Sequence, residues 1–311
     1  VSRDFTKRRV YIDLEEEMVY SANTQYAGNT VGLKKLAMRL AIKRASEEGS
    51  LTEHMFIMGV HGPDRKRLTY FTGSFPSACG KTATAMLEGE TIIGDDIAYL
   101  RNVNGEIMAV NVERGIFGII QDVSKDSDPE IFKALTTPGE VIFSNVLVDR
   151  ENNPRWLGDG RPEPESGVNY SGKWFPGKKG PDDNEVPLAH KNARYTIAIN
   201  ELKNCDKNLE NPSGIKVGGV IYGGRDSDTN VPVEQSFDWH HGILTQAATI
   251  ESETTAATLG QEGVRKFNLM ANLDFLSIPI GRYIQNNLDI VEGVKKPPLI
   301  FHVNYFLRGK N

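Results

Sequence analysis

The stretch Phe75-Pro76-Ser77-Ala78-Cys79-Gly80-Lys81-Thr82 constrains this chain more than any other. Apolar Leu68, Tyr70 and Phe71 precede it and read as a strand; Thr82 to Leu87 follow and read as a short helix. A strand that turns through such a loop into a helix presents backbone N–H groups and a lysine to an anion. Lys81 would reach the outer phosphates of a nucleotide, and the Thr82 hydroxyl would sit on its Mg²⁺. The usual glycine six residues before the lysine is Phe75 here, so context must carry the reading. That context includes Thr91-Ile92-Ile93-Gly94-Asp95-Asp96, a second apolar strand ending in two carboxylates, where phosphate-loop enzymes hold their metal. The plain alternative is a tight turn with an exposed lysine.

With 311 residues, 39% of them hydrophobic, the chain is long enough for two domains or one large one. A net charge of −5 gives no general basic footprint for nucleic acid. No apolar run reaches membrane-spanning length, and Val1-Ser2-Arg3-Asp4-Phe5 lacks the apolar core of a signal peptide. Two cysteines, Cys79 and Cys205, do not suggest a disulfide framework, so the expected compartment is the cytoplasm. The first residue is valine, so the expectation includes a fragment or a processed product.

Tyr26-Ala27-Gly28-Asn29-Thr30 reads as a turn that caps a helix running from about Val31 to Glu48. Leu33, Leu36, Ala37, Leu40 and Ala41 give that helix one apolar stripe. Lys34 shares a mostly apolar stripe with Met38, Ala41 and Ala45, whereas Lys35 aligns with Arg39 and Lys43 on the wet face. His54 opens the apolar run Met55–Val60, a buried strand, and so sits at the mouth of the unit that holds Lys81 and Asp96. There it is placed to ligate a metal; the alternative is a structural histidine. Asn104-Gly105 signals a hairpin joining Ile97–Leu100 to Ile107–Val112. Ile116–Ile120, Val141–Val148, Tyr195–Ile199 and Lys216–Tyr222 read as further strands. From Gly158 to Pro187, 11 of 30 residues are Gly or Pro, which reads as a long surface excursion and not a domain boundary. Gly223-Gly224-Arg225 ends a strand with glycines that admit a ligand and an arginine for an anion. Ile250 to Thr258 is small and polar, suited to a mobile lid or an ordinary loop.

Several of these pieces together resemble the GTP-dependent phosphoenolpyruvate carboxykinases. The octet Phe75–Thr82 is that family's own phosphate-loop variant. Gly94-Asp95-Asp96-Ile97-Ala98, Glu53-His54-Met55, Tyr26-Ala27-Gly28-Asn29, His190-Lys191-Asn192-Ala193-Arg194, Gly223-Gly224-Arg225 and Phe301-His302-Val303-Asn304 also match, in order and across nearly the whole chain. Asn111 to Gly118, which contains Phe117, resembles another family segment. The resemblance implies an α/β fold: a mixed-sheet phosphate-loop core with a mobile lid over Glu251 to Thr258. Residues 1–60 would be the C-terminal part of the substrate-binding domain plus the start of the catalytic core. Residues 61–311 would be the nucleotide- and metal-binding catalytic domain, truncated at its C-terminus.

The implied activity is that of a lyase of gluconeogenesis and anaplerosis. Oxaloacetate and GTP are converted reversibly to phosphoenolpyruvate, GDP and CO₂, with Mn²⁺ on the enzyme and Mg²⁺ or Mn²⁺ on the nucleotide. The implied Mn²⁺ ligands are Lys34 or Lys35, His54 and Asp96; Asp95 and Thr82 would serve the nucleotide metal. Ala78, Cys79, Gly80, Lys81, Thr82, Ala83, Arg194 and Arg225 would surround the nucleotide. Tyr26, Ala27, Gly28, Ser77, Asn192, Ala193 and Arg194 would meet the substrate. Cys79, Lys81, Arg194 and Arg225 carry the implied catalytic roles, Cys79 being the reactive thiol beside a helix N-terminus. Ala27, Ala193 and Asp226 depart from the family pattern, as does the lid sequence. The family's substrate-holding arginine and aromatic guanine pocket are expected to lie outside this sequence. The same residues also admit another phosphoryl donor such as ATP, or a module that binds nucleotide without turning it over.

Overall fold

A computed structural model describes residues 4–23, 26–76, 79–255, 258–259 and 262–308, with backbone only at 5, 26–32, 255, 258 and 259. The chain forms two compact units, Val1–Glu113 with Asp206–Asn311, and Arg114–Cys205. No described helix is long and apolar enough to cross a membrane.

The first unit is built on a nine-stranded mixed sheet. Its main path runs Leu51–Glu53, Ala98–Val103, Glu106–Asn111, Ile215–Gly223, Leu68–Ser74, Phe56–His61, Thr91–Gly94. Ile215–Gly223 is the pivot. It pairs antiparallel with Glu106–Asn111 at its start, then parallel with Leu68–Ser74 on one side and Leu299–Val303 on the other. Strands buried on both faces read as continuous apolar runs, and Phe56, Ile57 and Met58 are indeed all buried. The sheet, together with Trp239, Ile243 and Tyr283, encloses the main core. Asn104 and Gly105, at φ 54° and 80°, form the two-residue turn whose paired positive φ values match strand twist.

The long helix spans Tyr26–Glu48, so it starts five residues before the expected Val31. The stretch read as a turn, Tyr26-Ala27-Gly28-Asn29-Thr30, is its first part. Gly and Asn cost a helix about 1 kcal/mol or less each, which one long helix anchored by buried Met38, Ile42 and Ala45 absorbs.

The second unit has a three-stranded antiparallel sheet, Val141–Ser144, Arg194–Ala198, Gly115–Ile119, and a four-stranded sheet of short strands. That second sheet lies partly in the Gly/Pro-rich stretch read as a surface excursion: Gly167–Asn169 and Gly172–Trp174 belong to it. Buried Trp156 and Trp174 anchor the unit, each donating its indole N–H at 2.8 Å, to the carbonyls of Val123 and Val186. Val141–Val148 is not one strand but two, Val141–Ser144 and Leu147–Asp149, broken where Asn145 takes φ 62°.

Candidate metal and phosphate site

Leu68–Ser74 lies between Ile215–Gly223 and Phe56–His61, and the loop leaves its C-terminal end. Phe75 is buried with its ring 5.9 Å from those of Phe56 and Tyr305. An aromatic anchor thus replaces the usual glycine at the loop's entry. Gly80, at φ 87°, makes the left-handed turn into the helix Lys81–Ala85. Ser77 and Ala78 lie outside the described residues, as do the side chains of Tyr26 and Ala27.

Asp96 is where the first unit concentrates its charge. The ammonium groups of Lys34 and Lys81 both reach its carboxylate, and His54 Nε2 lies 2.8 Å from its Oδ1. Lys34 also pairs with Glu113 at 2.7 Å, and Lys81 donates to His54 Nε2 at 2.5 Å. On the residues next in the chain to Lys81 and Asp96, Thr82 Oγ1 donates to Asp95 Oδ2 at 3.4 Å. Lys35 goes elsewhere. It pairs with Asp274 at 3.6 Å, 5.5 Å from the Phe275 ring, with its side chain 36% exposed against 22% for Lys34.

Burial and neighbours drive the protonation states apart. Burial favours neutral Asp96, but Lys81, His54 and Lys34 outweigh it and hold its carboxyl well below the usual range. Burial raises Asp95 to about 7, with Asp96 and Glu113 adding to the rise. Burial opposes the Lys34 charge too, yet Asp96 and Glu113 hold it above an ordinary lysine. Lys81 and His54 are both pushed down, first by burial. A neutral imidazole nitrogen 2.8 Å from a carboxylate oxygen either donates an N–H to it or, with its lone pair outward, needs a cation beside the pair. The lysines supply that charge in this structure. Among the described residues no three His, Cys, Asp or Glu side chains form a metal cluster.

Cys79 is buried, its sulfur 3.0 Å from Thr254 Oγ1 and 3.4 Å from Ser252 Oγ. This ties the loop to the start of the stretch read as a lid. That stretch pairs as Glu251–Ser252 with Lys266–Phe267 and Thr254–Thr255 with Thr258–Leu259. The Arg225 guanidinium lies 3.9 Å from the centroid of the Phe306 ring, and the Arg225 backbone N–H donates to Ser252 Oγ. Asp226 is buried against Arg265 at 3.2 Å and accepts from the backbone N–H groups of Asp228, Thr229 and Asn230. Its departure from the family pattern therefore has a local structural role. Tyr305 and Phe306, just after the Phe301–Asn304 segment, pack on Phe75 and under Arg225.

Asn192, Ala193 and Arg194 belong to the second unit. There Arg194 donates to Asn192 Oδ1 at 3.0 Å and lies 5.4 Å from the Phe117 ring centroid. Sequence reasoning gave no role to Glu113 or Glu53. Glu113 was signalled only by lying in the Asn111–Gly118 segment, and Glu53 only by preceding His54.

Residues 50–311 match the family model for the phosphoenolpyruvate carboxykinase C-terminal P-loop domain, and residues 2–46 match that for the N-terminal domain. A phosphoenolpyruvate carboxykinase (GTP) of Thermococcus sibiricus is 56% identical over 311 residues, covering 100% of this chain and 50% of that protein. That of Pyrococcus abyssi is 56% identical over 308 residues, 99% of this chain and 50% of that protein. That of Sulfurisphaera tokodaii is 47% identical over the same length. The chain spans about half the length of the curated relatives it matches. A family model over most of the sequence and identity of this order along all of it place the chain in the GTP-dependent phosphoenolpyruvate carboxykinase family.

Proposed function

We propose that the intact protein converts oxaloacetate and GTP reversibly to phosphoenolpyruvate, GDP and CO₂. The convergence of Lys34, His54 and Lys81 on Asp96, at the start of a phosphate-loop helix, is the observation that carries this. Lys34 Nζ, His54 Nε2 and the Asp96 carboxylate would fit Mn²⁺, which accepts mixed nitrogen and oxygen donors, once Lys34, held charged here by Asp96 and Glu113, gives up its proton to the incoming metal. A bound Mn²⁺ would act there as a Lewis acid toward the enolate oxygen. In decarboxylation the C–C bond to the leaving carboxylate breaks and its electron pair stays in the enolate. The enolate oxygen then bonds to the γ-phosphorus as the bond to the β-phosphate oxygen breaks. Lys81 and the loop N–H groups would hold the phosphates in line, and Thr82 with Asp95 would hold the nucleotide's Mg²⁺ or Mn²⁺. For Arg194 and Arg225 we propose anion binding, and for Cys79 a place against the nucleotide. For Tyr26, Ala27, Gly28, Ser77 and Asn192 the proposal is substrate contact, by family resemblance.

Glu251 to Thr258 is proposed as a lid that keeps water from the enolate. Residues 1–60 are proposed as the end of the substrate-binding domain and the start of the core, and 61–311 as the nucleotide- and metal-binding part. The proposed compartment is the cytoplasm.

The test is phosphoenolpyruvate formation by the intact protein with Mn²⁺ and oxaloacetate, comparing GTP, ATP and no nucleotide, with Lys81→Ala as control. GTP-dependent product that disappears in Lys81→Ala is expected. Product with ATP alone would overturn the base assignment. Nucleotide binding with no product under any condition would overturn the catalytic reading.

A further inference from the structure

Resting on the metal reading above and deepening it, we propose that Glu53, Asn272 and Tyr283 form a clamp that fixes the tautomer and aim of His54. All three act as positioning residues, since none touches the charged cluster itself.

Glu53 ends the strand Leu51–Glu53 and is fully buried. Its Oε2 accepts from Asn272 Nδ2 at 2.9 Å and from the Tyr283 hydroxyl. Asn272 Nδ2 also donates to Tyr283 Oη at 2.7 Å, which closes a triangle of buried polar groups. Glu53 makes no ion pair among the described residues. A buried acid held only by neutral donors is costly to keep, and packing alone would be served as well by an apolar side chain.

The residues just before Asn272 explain what the clamp holds. Met270 and Ala271 sit at φ 49° and 52°, two successive left-handed positions in residues that bear a Cβ. Such a conformation persists only where its surroundings enforce it. Ser74 Oγ enforces one side, lying 2.7 Å from the Met270 carbonyl oxygen and 3.0 Å from that of His54. The Glu53–Asn272 bond enforces the other. The consequence is that the Ala271 carbonyl faces His54 Nδ1 at 3.3 Å.

A carbonyl oxygen can only accept, so this contact selects the proton on Nδ1, as does Lys81 donating to Nε2, against the pull of the Asp96 carboxylate for a proton on Nε2. In the neutral ring this leaves the lone pair on Nε2, the nitrogen that faces Asp96 and Lys81. The Phe275 ring, with its centroid 4.7 Å away, limits the tilt of the imidazole. Glu53 thus fixes, through Asn272 and Ala271, which nitrogen of its own neighbour in sequence is offered to a metal. Partners of this kind around metal-bound histidines set ring orientation and ligand basicity.

Three variants of the intact protein test this. Glu53→Ala removes the acceptor, Glu53→Gln keeps an oxygen acceptor at equal volume, and Tyr283→Phe removes one hydroxyl. The readouts are Mn²⁺ affinity, the electron paramagnetic resonance spectrum of bound Mn²⁺, and the ¹⁵N chemical shifts of the His54 ring without metal. Glu53→Ala and Tyr283→Phe are expected to weaken Mn²⁺ binding about tenfold or more, with Glu53→Gln staying within about threefold of the parent. The metal-free parent is expected to show the Nδ1–H tautomer, and Glu53→Ala a mixture. Parent-like Mn²⁺ affinity and tautomer in folded Glu53→Ala or Tyr283→Phe would overturn the clamp. If Glu53→Ala does not fold, Tyr283→Phe decides alone. A parent that shows the Nδ1–H tautomer but binds no Mn²⁺ would instead sink the metal reading.

Discussion

Replacing Lys34 with methionine separates the two neighbouring lysines by a measurable margin. Methionine keeps most of the aliphatic volume, so the change acts chiefly on charge. Lys34 pairs with both Asp96 and Glu113, and all three side chains are about one-fifth exposed. Its loss leaves Glu113 with no cation in pairing range among the described residues, while Asp96 keeps Lys81 and His54. Breaking a fully buried pair costs about 3–5 kcal/mol and a surface pair about 0.2–1 kcal/mol. Partial exposure and relief of repulsion with Lys81 put this case at about 2 kcal/mol. In a unit of this size that is a fall of about 4–8 °C in melting temperature without metal. Lys35→Met breaks only a half-exposed contact with Asp274 and should cost less than about 0.5 kcal/mol. Because Lys34 is held above its ordinary value, its contribution is fully present below the unfolded pKa. It fades only as pH rises beyond about 10.4, so melts belong at neutral pH. Losing a direct donor should weaken Mn²⁺ by more than about a hundredfold, beyond the loss of an outer-shell partner, while Lys35→Met should leave it unchanged. Equal Mn²⁺ affinity in Lys34→Met and the parent, or loss confined to Lys35→Met, would rule out Lys34 as the donor.

Asp159 in the second unit bridges Arg155 at 2.8 Å and Arg161 at 2.8 Å. Burial raises its carboxyl, but hydrogen bonds from Arg155 and Arg161 outweigh this and hold it below the usual range. Its stabilising effect is therefore present above about pH 3.9, the unfolded value, and is lost as pH falls through the folded value. Asp159→Asn should cost about 2 kcal/mol at pH 7 by urea unfolding, and the gap to the parent should shrink below pH 4; a gap that does not change with pH would refute this. Gly73 packs against the Phe56 ring, with no room for a Cβ. Gly73→Ala should destabilise by about 2 kcal/mol from overpacking, and adding Phe56→Leu should recover most of it; no recovery in urea melts would place the strain elsewhere.

The legible parts of the sequence were those with a period or a fixed turn chemistry. Asn104-Gly105 marked its hairpin because few residue pairs accept two positive φ values. Lys34 and Lys35 both stayed open as metal ligands; the residues four apart made Lys34 the better candidate for a half-buried lysine, and Met38 and Ala45 on that stripe are buried. The start of the long helix was missed because Gly28 and Asn29 carry a local turn signal that tertiary packing overrides. The short strands around Trp156 and Trp174 were missed because runs of two or three residues have no readable period. Glu53 was missed for another reason. Its partners Asn272 and Tyr283 lie more than two hundred residues away in sequence, and only folding brings them together.

The most direct test of the metal reading is a crystal of the intact protein grown with Mn²⁺ and measured at a wavelength where manganese scatters anomalously. A peak is expected within bonding distance of Lys34 Nζ, His54 Nε2 and the Asp96 carboxylate, with Lys35 still beside Asp274 and the His54 Nδ1 on the Ala271 carbonyl. A peak bound by Lys35, or one that leaves His54 and Asp96 without metal, would contradict it.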